Sequence, residues 1–236
     1  MLFGIFFKQG SSTYHKKSNF NHIMYKENDM HQNTDEVTIN SISYSIDELE
    51  KDCWIQLVNG AIKSRSPFHT PCVATLNNGA LSMRTVVLRK AFPLLKELRF
   101  YTDIRSNKWK ELQKNDSISA LFYDASTRVQ IRIKGKAILH FNDAMTTEAW
   151  QKTTLSSRRC YLTQASPSSF SAVPTSGLSE EIEQENFTLE ESEVGAQYFG
   201  IVSIQVESME WLWLNHAGHR RAFFDYVHDN NRWMIP

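Results

Sequence analysis

The sequence predicts a mainly β protein, an antiparallel barrel with a few short flanking helices. Segments with the two-residue apolar period of strands recur at intervals of roughly 8 to 15 residues. Three short helical patterns interrupt them, without the βαβ alternation of a parallel sheet. No sequence period of about 20 to 50 residues recurs, which excludes a repeat protein. Of the 236 residues, 41% are hydrophobic, enough for the core of one large domain or of two small ones.

Composition and charge exclude several classes of partner. The chain has 26 Lys plus Arg and 26 Asp plus Glu, so its net charge favours neither nucleic acid nor an anionic membrane. No apolar run approaches the roughly 18 to 20 residues that cross a bilayer. Cys53, Cys72 and Cys160 are widely spaced without a CxxC pair, as in proteins of reducing compartments. We therefore predict a cytoplasmic protein with no membrane or nucleic-acid partner.

The chain is predicted to consist of a leader and one folded domain. Residues 1–44 are predicted as a disordered N-terminal leader, because much of this segment is rich in Ser, Asn, His, Lys and Thr without a period. The domain spans 45–236. It begins with a helix at about 47–62, where Ser45 and Glu48 have the spacing of a capping box and apolar residues follow at helical intervals.

Beyond the first helix the pattern is that of strands. Cys72–Leu76 and Leu81–Arg89 flank Asn77-Asn-Gly79, residues that suit the positive φ angles of a tight turn, which predicts a β-hairpin. Further strands are predicted at Glu97–Thr102, Ile118–Tyr123, Arg128–Phe141, Phe199–Val206, Met209–Leu214, Ala222–Val227 and Arg232–Ile235. Two more helices are predicted, from Ser106 to about Lys114 and from Asn142 or Asp143 to about Leu155.

An acidic segment separates the last strands from the rest. Between Gly177 and Ala196 there are seven glutamates and no Lys or Arg, and a Ser- and Pro-rich stretch precedes them. This composition is typical of a long solvated insertion. Residues 163–196 are therefore predicted as an acidic insertion or lid within the same domain.

The usual catalytic motifs are missing, but one region favours an anion. There is no P-loop, GxSxG, HExxH or strand-following GxGxxG, and the pair His216 and His219 lacks a third ligand, so no metal site is predicted. Ser106 begins a helix whose free N–H groups and dipole favour an anion, and Lys108 lies in its first turn. Ser106 is also consistent with a plain helix cap.

Two arginines flank the second strand of the hairpin. In a regular strand, Arg84 and Arg89 lie on opposite faces and roughly 16 Å apart, at about 3.3 Å per residue. They are therefore predicted to serve two different places. The simpler alternative is that both are solvated residues at strand ends.

Four motifs occur in a characteristic order. They are Arg84-Thr-Val-Val-Leu-Arg89, Phe100-Tyr-Thr102, Ser106-Asn-Lys108 and Gln130-Ile-Arg-Ile-Lys-Gly135. In this order and at these intervals they resemble the FMN-binding split-barrel family typified by pyridoxamine 5′-phosphate oxidase. The resemblance covers about residues 50–165 well and the last 30 or so loosely, but neither the leader nor the acidic insertion. It implies a split β-barrel, FMN as cofactor, a homodimer with the flavin at the interface, and a small-molecule substrate.

The resemblance also implies roles for individual residues. It places the FMN phosphate on Arg84 and Lys108 and the flavin ring against Gln130, with Arg89 towards the ring and the substrate. The full cofactor-binding set that it implies is Arg84, Thr85, Val86, Val87, Leu88, Arg89, Tyr101, Thr102, Ser106, Lys108, Gln130 and Trp213. The substrate-binding set is Arg89, Arg158, Arg220 and Arg221. No protein side chain is predicted to be catalytic, because the flavin carries the chemistry.

The chain departs from the family pattern where the substrate binds. Arg89 stands where the family has lysine, and Phe224 stands where the family has a second C-terminal arginine. Of the family's Tyr, Arg and Ser set for the substrate phosphate, Arg158 alone is matched. Some of the implied residues also have structural interpretations, since Trp213 and Tyr101 suit a barrel core and Arg220 and Arg221 a solvated strand start.

These features predict an FMN-binding oxidoreductase that transfers hydride through the flavin on a small substrate. The alternative is a non-catalytic flavin- or cofactor-binding protein on the same barrel. A nucleic-acid-binding barrel is disfavoured by the balanced charge and by the lack of a basic aromatic groove.

Overall fold

The computed structural model describes residues 36–39 and 41–236, and within them it contains eleven strands and five α-helices. The strands are β1 Glu36–Ile39, β2 Ile42–Ser45, β3 Cys72–Asn77, β4 Ala80–Thr85, β5 Leu88–Phe92, β6 Glu97–Asp103, β7 Ser117–Asp124, β8 Val129–His140, β9 Phe199–Trp213, β10 Arg220–Asp225 and β11 Asn230–Met234. The helices are α1 Ile46–Ile62, α2 Asn107–Lys114, α3 Ala144–Gln151, α4 Leu155–Arg158 and α5 Glu180–Glu183.

The first described elements precede the predicted start of the domain. Strands β1 and β2 pair as an antiparallel hairpin, and all of their residues except Ser45 belong to the segment that the sequence assigns to the leader. The rest of the leader, residues 1–35 and 40, lies outside the described residues. Helix α1 follows with the predicted capping box, because Ser45 N–H donates to the Glu48 carboxylate at 2.9 Å and the Ser45 side chain accepts from Glu48 N–H. Leu49 and Leu57 of α1 are fully buried in the core.

Strand β9 organises the main sheet. It pairs antiparallel with β8 along most of its length, with β6 through its first half and with β10 through its second. Because β6 and β10 share one edge of β9 at different ends, the sheet opens between them, which is the geometry of a split barrel. The predicted antiparallel split barrel is therefore confirmed. The prediction of two strands at 199–214 is wrong, since β9 is one strand of 15 residues.

A glycine allows β8 and β9 to pair along this length. Their register shifts between Lys134 and Gly135, which marks a β-bulge. A Cβ atom at Gly135 would lie 2.1 Å from the carbonyl oxygen of Gln205 on β9, a distance that no side chain tolerates. The backbones of the two strands therefore approach each other closely only because position 135 has no side chain.

The predicted strand Leu81–Arg89 is interrupted. Strand β4 ends at Thr85 and β5 begins at Leu88, and between them Val86 N–H donates to the carbonyl of Pro71 at 3.0 Å. Strand β4 pairs with β3, whereas β5 pairs with β6. Arg84 and Arg89 therefore lie on two different strands, and the spacing expected within one regular strand does not apply to them.

One face of the sheet carries several exposed apolar side chains. Strand alternation and register put Leu81 and Met83 of β4 on the same face as Tyr123 of β7 and Gln130 of β8. The exposed fractions are 73% for Leu81, 62% for Met83 and 45% for Tyr123. We call these side chains, together with Leu121, the outer apolar face.

The segment after β8 contains two helices where one is predicted. Helix α3 ends at Gln151 and α4 begins at Leu155, with Thr154 as its N-cap residue. The acidic insertion follows and carries helix α5 and a 3-10 helix at Glu191–Tyr198. Within the described part of the chain, no helix has both the length and the apolar character needed to cross a bilayer.

Candidate functional site

Helix α2 begins without a side-chain cap. Ser106 occupies the N-cap position, but its hydroxyl makes no capping hydrogen bond, contrary to the simple cap that its position suggests. Its Oγ instead lies 3.4 Å from Lys108 Nζ, which donates to it, and 3.3 Å from Thr102 Oγ1. Lys108 Nζ also donates to Thr102 Oγ1 at 2.5 Å. The first-turn N–H groups of α2 are thus left without a side-chain acceptor next to a lysine and two hydroxyls.

The environment of Lys108 disfavours its charge when no anion is present. Burial is the main cause that lowers the pKa of its ammonium, and the nearby positive charge of Arg84 lowers it further. Asp103 and Glu111 oppose this effect in part. An anion bound beside Lys108 would restore the favourable interaction that burial removes.

A cavity of about 390 Å³ opens beside this lysine. It brings together five of the residues that the sequence predicts as cofactor ligands, namely Val87, Arg89, Tyr101, Thr102 and Lys108. The other lining residues were not predicted from the sequence, and they are Asp103, Thr153, Ser156, Ser157, Cys160, Tyr161 and Pro167. We call this space the Lys108 cavity. Its volume is within the usual range for small-ligand sites.

A second cation, Arg89, lines the Lys108 cavity. The guanidinium of Arg89 lies over the ring of Tyr101, 5.6 Å from its centroid, and makes no hydrogen bond or ion pair with any described residue. The carboxylate that lines the cavity, Asp103, is already bound by Arg105 at 2.6 Å. The cavity therefore presents two cations, and its own carboxylate is neutralised.

Arg84 lies outside the lining of the cavity. Its terminal nitrogens donate to Thr75 Oγ1, to the backbone carbonyl and hydroxyl of Ser82, and to Glu111 at 2.8 Å. Glu111 is buried and also accepts from Thr75 Oγ1 at 2.6 Å. Four of the five N–H groups of Arg84 are thus bonded within the chain, and its charge acts on the nearby Lys108. In the sequence, Glu111 follows Lys108 by about one helical turn. This spacing is the signal from which a carboxylate near Lys108 could have been predicted.

The other predicted cofactor ligands are dispersed. Leu88 is buried in the core, Val86 packs against that core, and Thr85 is exposed at the end of β4. Gln130 lies on the outer apolar face, while Trp213 points to the opposite face with Trp211. None of these side chains lines the Lys108 cavity.

Arg158 is bonded within the protein. It is 2% exposed, and its guanidinium donates to the carbonyls of Trp150 at 2.9 Å and Thr153 at 3.2 Å. It also donates to Ser192 Oγ at 3.1 Å and forms an ion pair with Glu193. The substrate role expected of Arg158 finds no support in this position, because its N–H groups connect the cavity wall to the acidic insertion.

The two C-terminal arginines lie on β10, away from the cavity. Arg221 forms an ion pair with Glu210, which also pairs with Arg132 at 3.4 Å. Arg220 donates to backbone carbonyls of its own loop, including that of His219 at 2.9 Å. Neither residue lines the Lys108 cavity. Among the residues that the structure describes, no cluster of three or more His, Cys, Asp or Glu side chains could hold a metal ion.

Part of the chain matches a known family of domains. Residues 51–141 match the family model of the pyridoxamine 5′-phosphate oxidase FMN-binding domain. A pyridoxamine 5′-phosphate oxidase-related FMN-binding protein from Nostoc punctiforme has a similar structure, with a TM-score of 0.63, 19% identity, and coverage of 79% of this chain and 96% of its own.

A second similar structure is PhzG from Burkholderia lata, solved in complex with tetrahydrophenazine-1-carboxylic acid. Its TM-score is 0.60 at 16% identity, covering 85% of this chain and 100% of its own. At such identities the two structures show a shared fold. A search among curated proteins gave no match.

We predict that Arg158→Ala lowers the free energy of unfolding by about 2 to 4 kcal/mol, because a buried charged hydrogen-bond network is lost. Arg159→Ala is the matched control, since the ion pair of Arg159 with Glu185 is largely exposed and is worth at most about 1 kcal/mol. Urea denaturation of both variants measures the difference. Equal effects would contradict the structural role of Arg158.

Proposed function

We propose that the protein, whose residues 51–141 match the family model of the pyridoxamine 5′-phosphate oxidase FMN-binding domain, is an FMN-dependent oxidoreductase acting on a small substrate. The observation that carries the proposal is the uncapped start of α2, where Lys108, Thr102 and Ser106 surround unsatisfied backbone donors. Bound FMN supplies the hydride chemistry, and the protein supplies binding and orientation.

The donor set at this end of the cavity fits a phosphate. A dianion favours a point cation, hydroxyl donors and the N–H groups of a helix start, and all three are present around Lys108. The cation is largely withdrawn from water, which strengthens its interaction with an anion. We assign the FMN phosphate to Lys108, Thr102, Ser106 and the first turn of α2. Arg84, whose charge acts on Lys108, adds positive potential to the site.

We also propose that the functional unit is a homodimer. Gln130, which the family resemblance assigns to the flavin, lies on the outer apolar face and not in the Lys108 cavity. That face exposes Leu81, Met83 and Tyr123, and exposed apolar surface of this kind is typical of an interaction site. A second copy bound there would bury these apolar side chains. It would also contribute its own Gln130 to a flavin site shared between the two copies.

The phosphate assignment is tested by comparing FMN with riboflavin, which lacks the phosphate. We expect Lys108→Ala to weaken FMN binding by about 10- to 100-fold, the usual range for one charge-assisted hydrogen bond, and to leave riboflavin binding nearly unchanged. Lys110→Ala is the matched control, because Lys110 is an exposed lysine on the same helix outside the Lys108 cavity. Quenching of flavin fluorescence measures both affinities.

Two results would contradict this part of the proposal. Wild-type protein without measurable affinity for FMN would contradict FMN binding itself. Equal loss of FMN and riboflavin binding in Lys108→Ala would show that the lysine does not act on the phosphate.

Turnover separates the enzyme from the non-catalytic alternative. FMN-loaded protein is mixed without oxygen with NADH or NADPH, and in air with pyridoxamine 5′-phosphate. We expect bleaching of the flavin absorbance in the first case or release of peroxide in the second. If neither compound produces a change, while FMN remains bound, the protein is better described as a flavin-binding barrel without this chemistry.

The homodimer is tested with charged substitutions on the outer apolar face. We expect wild-type protein to sediment as a dimer and the double variant Leu81→Asp, Met83→Asp to sediment as a monomer, because buried carboxylates oppose association. The double variant Leu94→Asp, Leu95→Asp is the control, since these exposed leucines lie in the turn between β5 and β6. A wild-type monomer, or a dimer that survives the first pair of changes, would contradict the proposed interface.

A further inference from the structure

Most polar side chains of the Lys108 cavity are already bonded within the chain. Thr102 and Lys108 bond to each other, and Asp103 bonds to Arg105. The hydroxyl of Thr153 donates to the carbonyl of Ala149 at 2.8 Å. Ser156 and Ser157 both bond to the hydroxyl of Thr154, at 3.2 and 3.0 Å.

Three strong donors that line the Lys108 cavity remain without such a bond. Arg89, Tyr101 and Tyr161 make no side-chain hydrogen bond with the described part of the chain. They are within electrostatic reach of one another, because the charge of Arg89 acts on both phenols. The sequence singled out Arg89 and Tyr101, but Tyr161 has no assigned role.

The ring of Tyr161 is held firmly in the wall of the cavity. It packs edge-on against Trp150 and Phe199, with ring centroids 5.8 and 5.2 Å away. Gly195 packs against its base, where an added Cβ would lie 3.2 Å from the Tyr161 Cβ. The residue is 8% exposed and lines the cavity. The aromatic body is therefore fixed, while the hydroxyl lacks an acceptor in the chain.

The phenol of Tyr161 is a donor at neutral pH. Burial raises its pKa, although Arg89 nearby opposes that shift in part. A protonated phenol beside a guanidinium provides several N–H and O–H donors for one planar group. A carboxylate accepts such bonds through two oxygens and offsets the charge of Arg89, whose cavity neighbour Asp103 is bound by Arg105.

We propose that the Tyr161 hydroxyl, beside Arg89, donates a hydrogen bond to a carboxylate of the substrate, so that the cavity selects small planar carboxylic acids. This inference rests on the proposed function, which assigns the other cation of the cavity, Lys108, to the FMN phosphate. Tyr161 is then a specificity-determining residue that contacts the substrate directly.

The test uses FMN-loaded protein with benzoate and benzamide as probes of equal shape. Binding is followed through the change that each probe causes in the flavin absorption spectrum. We expect benzoate to bind at least about tenfold more tightly than benzamide, because one hydrogen bond to a charged group has about that effect. This comparison requires no variant, so it does not depend on the folding of a mutant.

A conservative variant then identifies the donor. Tyr161→Phe removes the hydroxyl and keeps the ring packing, and we expect it to weaken benzoate binding about tenfold while FMN affinity changes by less than about twofold. Tyr44→Phe is the matched control, because Tyr44 is on β2 and does not line the cavity. Its benzoate affinity should equal that of the wild type.

The outcomes distinguish the inference from the proposed function. Failure of wild-type protein to bind FMN contradicts the proposed function. FMN-loaded protein that binds benzoate no better than benzamide contradicts the inference alone, and so does unchanged benzoate affinity in Tyr161→Phe. If Tyr161→Phe weakens FMN as much as benzoate, the hydroxyl binds the cofactor and the assignment to a substrate carboxylate is overturned.

Discussion

The pairing of β9 with three other strands determines where the candidate site lies. Strand β6 pairs with the first half of β9 and ends at Asp103, directly opposite Phe199, the first residue of β9. The chain leaves the sheet at that point and enters α2, so Tyr101 and Thr102 lie next to Lys108. Strand β10 pairs with the other half of β9, beside the Glu97 end of β6, so the Asp103 end of β6, where the cavity lies, faces away from β10. The position of the cavity is therefore a consequence of the sheet topology.

The same topology holds the ammonium of Lys108 in a position where burial disfavours its positive charge. Lys108 cannot move freely into solvent with its helix, because Trp109 and Leu112 of α2 are buried in the barrel core. Packing of these apolar side chains thus offsets the cost of desolvating the ammonium. Glu111, also on α2, balances the charge of Arg84. The helix therefore combines an anchoring apolar face with a face of charged groups, one of which points into the cavity.

Local sequence patterns predicted those parts of the molecule that depend on neighbouring residues. The capping box of Ser45 and the start of α2 are examples. The proximity of Tyr101, Thr102 and Lys108 is another, because these residues follow one another from the end of a strand into a helix. The break after Thr85 was not predictable, because the apolar period continues through it and Val86 N–H donates to the carbonyl of Pro71, a residue well before it in the sequence. Side-chain contacts between residues far apart in sequence were missed for the same reason, because no local pattern indicates them. Glu111 lies 27 residues from Arg84, and only the folded chain brings them together.

The buried guanidinium of Arg158 has a consequence for the dynamics of the protein. It bonds to the backbone at the end of α3 and to side chains 34 and 35 residues later in the acidic insertion. An acidic, solvated segment alone would exchange its amide hydrogens quickly and independently of the barrel. Because Arg158 connects the two, we expect the 3-10 helix at Glu191–Tyr198 and the α3–α4 wall to open as one cooperative unit, with matching rates of hydrogen exchange. The insertion is then part of the same energetic unit as the ligand cavity, although its composition resembles that of a free loop.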